Sequence, residues 1–559
     1  MRSDAEVQGR PRAGVLIAIG LCCFLVYNAN LRSVSAGDTY PARYLPFAIL
    51  QYHTFVFDPV AEVARQGHGD QAYWLQSRPD GRLISLYPIV TPLLVTPLYV
   101  PAVAYLRLDG WTNARLDRVA KVMEKLSASL VAALSAALLF LLLCRRVKTS
   151  VALLLTAAYA FGTTTWMIGS QALWQHGMAE LLVIGALLLL TARCTWPRTL
   201  AAGLVLGLIA GNRPPDVILA AALGAHALFW AGRRRALLLA GAAALPMLLV
   251  LFYNLRAAGN IAGGYGLVGS AHFFEHGLLP GIAGLLVSPT RGILLFSPFL
   301  LFLVLAWRTL PRVREERMLT LSMTACIALQ LLLYAKADWR GGFSWGPRYM
   351  TDLLPFCMWM LAPVVAALRG VARACFAVAV GVAIVIETIG AFGYTWPLDT
   401  PIFAGDRGRE DMRGAWKWRN APFVTALEQG FAPPDLAVRV RGTLDAVESA
   451  GGATATVTAG EEAFATGWAL AGNGSPWQVA VTIDGRPPSA TAVFFDRPDV
   501  RESLRVASPA GWSVRLDTGA LAPGKHRLTA FVWSAARGER QYLDDGELTI
   551  QAPAARDPP

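Results

Sequence analysis

The first stretch able to do chemistry is Gly37-Asp38-Thr39-Tyr40-Pro41-Ala42-Arg43-Tyr44-Leu45-Pro46, a few residues past the first long apolar run, Gly14 to Tyr27. Gly37, Pro41 and Pro46 stop a simple continuation of that helix. One carboxylate, one guanidinium and two phenols therefore gather at the end of an apolar segment. A carboxylate so placed can take a proton from a hydroxyl nucleophile, provided it lies within hydrogen-bond reach, roughly 2.6–3.2 Å. Arg43 can keep Asp38 ionised or hold an anion itself. The plainer reading is that Asp38 caps the next short helix, since Asp is a preferred N-cap residue.

Three later stretches supply cations in a shared context: Asn212-Arg213-Pro214-Pro215-Asp216, Ser288-Pro289-Thr290-Arg291-Gly292, and Trp339-Arg340-Gly341-Gly342-Phe343-Ser344-Trp345-Gly346-Pro347-Arg348-Tyr349. Each sets a rigid turn and an arginine beside the start of an apolar run. Glycine lets a backbone approach a ligand closely. Arginine pairs bidentately with phosphate oxygens, and a helix N-terminus adds partial positive charge. Together they suit an anionic headgroup at a membrane surface. Arg43, Arg213, Arg291, Lys336, Arg340, Arg348 and Tyr349 form the candidate phosphate- and substrate-binding set. His176, in Trp174-Gln175-His176, joins them to orient Asp38 or an acceptor. The competing reading is that these loops turn the chain and their arginines meet ordinary lipid phosphates. His272, Glu275 and His276 have metal-ligand spacing on a helix but lack a further ligand. No cofactor is expected, and a divalent metal would fit only at that triplet.

The elements that must position these residues are membrane helices. Of 559 residues 55% are hydrophobic and only 16% charged, against about a quarter charged in soluble proteins. Apolar runs near the length of a span recur through the first 395 positions. The net charge of +12 does not call for nucleic acid. The basic residues cluster between apolar runs, at Arg145-Arg146, Arg233-Arg234-Arg235, Arg308 to Arg317, and Arg369 with Arg373, as the positive-inside rule requires. The seven cysteines lie in or beside apolar runs with no CxxC spacing, so neither disulfides nor a thiolate metal site is expected.

Charge alternation gives a count. Arg10 and Arg12 place the N-terminus in the cytoplasm and Asp38 outside. Leu86 to Tyr105 carries Pro88, Pro92, Pro97 and Pro101, and each proline costs about 3 kcal/mol in a helix interior. That piece is read as lying flat or re-entrant in a long first external loop, 31–117. Spans follow at Leu126–Cys144, Val151–Ile168 and Met178–Leu190. A hairpin comes next around Asn212–Asp216, then Ala236–Tyr253, Gly292–Ala306, Met318–Tyr334, a tenth ending at Arg369, and Cys375–Tyr394. The total is about eleven. After residues 1–395 comes a connector, 396–434, containing Trp396, Trp416 and Trp418. Residues 435–559 show short alternating segments at Ala453–Thr458, Trp477–Ile483, Thr491–Phe495 and Arg527–Trp533. These read as an antiparallel β-sandwich, placed outside with Asp38. Its Trp468, Trp477 and Trp512 suit either a sandwich core or a carbohydrate surface, the core being the stronger reading.

Residues 1–395 resemble the GT-C superfamily of polytopic glycosyltransferases, which includes protein O-mannosyltransferases and lipid A aminoarabinose transferases. The resemblance is carried by Asp38 in the first external loop, Tyr87-Pro88 and Thr91-Pro92 in the juxtamembrane region, Trp174-Gln175-His176, and Trp345-Gly346-Pro347-Arg348-Tyr349. It implies an inverting transfer of a sugar from a polyprenyl-phosphate donor to a glycan, lipid or protein acceptor. The setting would be the outer face of a bacterial cytoplasmic membrane, with Asp38 as the base. No acidic neighbour flanks Asp38, where many members of that superfamily have one. The growing charge on the leaving phosphate would fall to Arg348, Arg213 or Arg291.

Two other classes compete. A transporter or flippase of a lipid-linked sugar would carry internal repeats and polar residues at mid-membrane. No repeat is visible, and the polar groups concentrate at one end. A membrane scaffold whose working part is the sandwich predicts that Asp38→Asn leaves activity intact.

Overall fold

The computed structural model describes residues 11–61, 63, 73–78, 80–106, 113–267, 274–403, 412–432, 440–471, 478–486, 490–504, 510–534 and 539–552. Two compact units emerge. One comprises Met1–Pro46, Ile84–Leu98 and Met123–Ala432, and the other Phe47–Leu83, Tyr99–Val122 and Pro433–Pro559.

Helices dominate the chain up to residue 432, the required answer for a backbone in lipid, where amides find no water to bond. Among the described residues six are long and apolar enough to cross a membrane by length and composition: Arg115–Leu143, Pro214–Ala231, Arg233–Ala258, Arg314–Lys336, Arg348–Ala367 and Gly370–Gly393. Shorter apolar helices include Ala13–Asn28, Thr149–Phe161 and Gln175–Leu190. Small residues let the backbones approach. Trp196–Asn212 lies so close against Arg233–Ala258 that a Cβ on Gly207 would sit 2.2 Å from the Ala243 carbonyl oxygen.

The piece Leu86–Tyr105, read from sequence as part of a loop with juxtamembrane helices, ends in one 17-residue helix, Val90–Leu106, that includes Pro92, Pro97 and Pro101. Pro92 sits in its first turn, where a missing N–H costs nothing, and the Thr96 hydroxyl donates to the Pro92 carbonyl at 2.8 Å. The structure departs from the sequence expectations in three places after it. The run Val151–Ile168 stops at Phe161 and continues as a separate turn of wider, π-type winding at Thr165–Gly169. Gly292–Ala306 is not a regular α-helix. A single turn, Ile293–Phe296, gives way at Ser297 and Pro298 to a tightly wound 3₁₀ segment, Pro298–Thr309. The loop after Tyr253 contains an unforeseen helix, Leu278–Val287, whose Gly281 and Gly284 pack on Ala335 and the Trp339 ring.

Two short strands, β1 (Leu75–Ser77) and β2 (Leu83–Ser85), pair with each other, and in the second unit β3 (Val440–Ser449), β4 (Gly452–Ala453), β5 (Thr456–Thr458), β6 (Ala463–Ala471), β7 (Gln478–Ile483), β8 (Val493–Phe495), β9 (Gly511–Leu516), β10 (Gly524–Ser534) and β11 (Glu539–Gln551) build two further sheets. Their strand orders are β5-β11-β10-β7 and β4-β3-β6-β9-β8. Pairing in these two sheets is antiparallel except for β5 with β11. Val479, Val481, Trp512, Val514, Leu528 and Val532 are among the residues that fill the space between the sheets. Trp512 is fully buried and belongs to the core, Trp468 packs beside Leu470 and Val500, and Trp477 falls outside the described residues. In the same unit the Tyr542 hydroxyl donates to the Val63 carbonyl at 2.6 Å.

Candidate active site

Asp38 lies in the turn that leads from the first helix into Tyr40–Tyr52. Its carboxylate is held from two sides. The Tyr87 hydroxyl donates to Oδ1 at 2.6 Å, and Arg348 Nη1 donates to Oδ2. Residues 310 positions apart thus form one ion pair, and it retains an outlet: the Asp38 side chain keeps 21% of its surface and Arg348 11%. The Arg348 guanidinium lies over the Trp174 ring at 4.6 Å and near the Tyr349 ring at 5.4 Å. Planar cations favour such faces.

Arg348 is placed by the loop before it. Gly341 and Gly342 adopt φ of +69° and +68°, the left-handed region that favours glycine. Trp345, fully buried, wedges against Phe296, Tyr394 and Gly390 and fixes the loop's far end.

A second group stands beside the first. The buried Asp352 carboxylate bonds His176 Nδ1 at 2.7 Å and accepts from Arg213 Nη1. His176 Nδ1 also lies 3.1 Å from Arg213 Nη1, so carboxylate, imidazole and guanidinium meet at one point. Arg213 Nη2 reaches the Tyr334 hydroxyl at 3.2 Å. The Tyr334 ring stacks on Tyr349, with centroids 4.3 Å apart and planes 7° from parallel. A continuous line therefore runs from Asp352 through Arg213, Tyr334 and Tyr349 to Arg348 and Asp38. Asn212 anchors its back. Its amide donates to the Gln175 carbonyl at 3.0 Å and to Asp216 at 3.2 Å, while its oxygen accepts from Thr91 at 2.7 Å. Tyr265 meets Tyr87 edge-on at 5.8 Å. Burial pushes the Tyr265 hydroxyl up, and the charges of Arg213, Asp38 and Arg348 all act on it.

Of the residues singled out in the sequence, Asp38, His176, Arg213, Arg348 and Tyr349 converge here. The others go elsewhere. Arg43 Nε binds Glu124 at 2.7 Å, a carboxylate that also accepts from Ser35 at 2.9 Å. Arg340 forks onto Asp338 through Nε and Nη2, both at 2.9 Å. Lys336 is exposed in the last turn of its helix, and its carbonyl accepts from the His276 amide at 3.1 Å. Of the metal-type triplet, His272 falls outside the described residues. Among the described residues no three His, Cys, Asp or Glu side chains group to hold a metal.

Arg291 is wholly engaged by the protein. It donates to the Arg340 carbonyl at 2.5 Å, the Thr290 and Gly342 carbonyls at 3.0 Å, and Asp399 at 2.9 Å. Asp399 also accepts from the Ser344 amide at 2.8 Å and the Tyr394 hydroxyl at 2.9 Å. Burial pushes the Asp399 carboxyl above its usual range, against the pull of Arg291, Tyr394 and Ser344. This buried pair grips the loop that ends in Arg348.

Sequence reasoning does not single out Glu124, Asp352 or Asp399. Glu124-Lys125 at the start of an apolar run was a usable signal, since ionisable residues inside spans are rare. Asp399 offered none: two of its three partners, Ser344 and Arg291, lie 55 and 108 residues away.

No protein-family model matches the chain, and no curated protein matches it. Among solved structures the chain is similar to the crystal structure of ArnT from Cupriavidus metallidurans bound to undecaprenyl phosphate, at 12% identity over 74% of this chain and 76% of that one, with a TM-score of 0.43.

Proposed function

We propose that the chain is a membrane-embedded inverting glycosyltransferase that moves a sugar from a polyprenyl-phosphate donor to a hydroxyl acceptor. The observation that carries this reading is the partly exposed Asp38–Arg348 pair, a carboxylate and a cation held together with part of each side chain still accessible. Asp352 and Asp399, by contrast, are fully buried and committed to protein partners.

The chemistry follows from the charges. A hydroxyl acceptor needs a base within hydrogen-bond reach, and Asp38 is that base. The leaving lipid phosphate gains negative charge as the glycosidic C–O bond breaks, and Arg348 is the cation that meets it. In the resting arrangement the two groups neutralise each other. Arrival of the donor phosphate draws Arg348 away and leaves Asp38 ionised beside the acceptor. The acceptor oxygen then attacks the anomeric carbon from the face opposite the phosphate, its proton passes to Asp38, and the configuration inverts. Tyr87 orients the carboxylate. His176 and Arg213, fixed by Asp352, support the aromatic stack beneath Arg348.

In this reading the protein is a multi-pass protein of a bacterial cytoplasmic membrane. Its N-terminus is cytoplasmic, and its connector and 435–559 sandwich lie on the Asp38 side. The test is transfer from labelled polyprenyl-phosphate sugars by purified protein. Wild type turns over and Asp38→Asn does not; equal turnover by both removes Asp38 from the mechanism.

A further inference from the structure

The stretch 412–432, between the last long helix and the strands, sorts into two sets of residues. The buried set ties it to the ends of the helical unit. The Ala415 carbonyl accepts from the Thr290 hydroxyl at 2.9 Å. The Asn420 amide bonds the Gly414 and Pro401 carbonyls at 2.8 and 3.1 Å. The Ala432 amide donates to Phe392 at 2.9 Å, in the final turn of Gly370–Gly393. A Cβ on Gly393 would sit 3.2 Å from Ala426, which lies in the short helix Pro422–Gln429. The segment is therefore fixed where a membrane-length helix ends.

The exposed set is Arg413, Trp416, Lys417, Trp418, Arg419, Leu427, Glu428, Gln429, Gly430 and Phe431, mostly large apolar and basic residues with a single acid among them. Trp418 is 60% exposed, Leu427 62% and Phe431 84%. Large apolar side chains grouped on a surface mark a contact. Indoles interleaved with basic residues at the end of a span are the composition of a membrane–water interface. Phe431 also continues the helix surface directly, its ring 6.3 Å from that of Phe392.

We propose that 412–432 is an interfacial anchor lying in the headgroup layer of the leaflet at which Gly370–Gly393 ends. Trp416, Trp418, Leu427 and Phe431 enter the boundary of the acyl chains, and Lys417 and Arg419 meet anionic lipid phosphates. Because Ala415 within the anchor and Asp399 upstream of it hold the Thr290–Arg291 turn and the Ser344 loop, the anchor references the Arg348 loop to the lipid surface.

The experiment uses the full wild-type chain in nanodiscs that contain a phospholipid with a photoactivatable group near its headgroup, with adducts located by mass spectrometry. Peptides covering 413–431 label at a yield comparable to the lipid-facing surface of Gly370–Gly393. In phosphatidylglycerol-containing discs that yield is at least about twofold higher than in pure phosphatidylcholine, from the attraction of two cations near the surface. Trp418→Glu with Phe431→Glu lowers the labelling of 413–431 and leaves that of 370–393 unchanged. Labelling of 370–393 without 413–431, whether the segment is then open to water or covered by protein, overturns the anchor. Equal yields in the two lipid compositions overturn the pairing of Lys417 and Arg419 with headgroups.

Discussion

Two ion pairs in the helical unit invite comparison. Asp38–Arg348 and Arg291–Asp399 each join an aspartate just outside a helix to an arginine in a Gly- and Pro-rich turn. They differ in surroundings. The first keeps part of its surface, and its carboxylate meets side-chain partners, Tyr87 and Arg348. The second is sealed, and Arg291 spends three of its hydrogen bonds on backbone carbonyls. A charge that must exchange partners during turnover needs access and mobile neighbours. A charge bound to backbone on all sides holds shape. On the proposed function, the same residue types serve chemistry in one place and architecture in the other.

The largest effect that separates them is on turnover. Asp38→Asn lowers transfer by about 10³-fold, within the range for losing a general base, while the thermal unfolding of purified protein stays at the wild-type value. A large loss of stability instead would make Asp38 an architectural residue like Asp399. Next comes Arg291→Ala, which strands the Asp399 charge and destabilises by about 3–5 kcal/mol. Denaturant titration in detergent reads this, and Arg291→Met combined with Asp399→Leu recovers most of it. If Arg291→Ala folded normally and only weakened donor binding, the contrast between the two pairs would collapse.

A smaller effect sharpens the account of the open pair. Tyr87→Phe removes one hydrogen bond to a charged group, worth about 1.5 kcal/mol. It lowers turnover roughly tenfold with little change in melting temperature. The smallest belongs to an ion pair on the sandwich surface. His526 Nδ1 lies 2.6 Å from Asp484, whose hydrogen bond leads the causes that raise the His526 pKa above its ordinary 6.5. That contribution is complete below pH 6.5 and fades as pH rises through the elevated value. It amounts to less than about 1 kcal/mol for so exposed a pair. His526→Gln flattens the dependence in pH-resolved unfolding of the full chain.

How much of this could be read beforehand varies by residue. Hydropathy placed most of the helices, because lipid imposes one rule on every span. It failed where glycine and proline alter the winding, at Gly162 and at Ser297-Pro298. Alternation located the strands around 478–483 and 524–534, since a two-faced sheet repeats every second residue. For the site, residue type and turn context single out Asp38 as a base and Arg213, Arg291 and Arg348 as one class of anion-binding cations. Nothing local separated Arg291 from Arg348, because both follow prolines and precede apolar runs.

The sequence alone determined that this chain is a bundle of apolar helices followed by a β-sandwich, with its acids and arginines held at helix ends. Those properties depend on composition and period, which are written locally. Only the tertiary structure decided which arginine faces which carboxylate. Asp38 and Arg348 are 310 residues apart and Arg291 and Asp399 are 108 apart, and whether a pair stays open or is sealed depends on packing from segments distant along the chain.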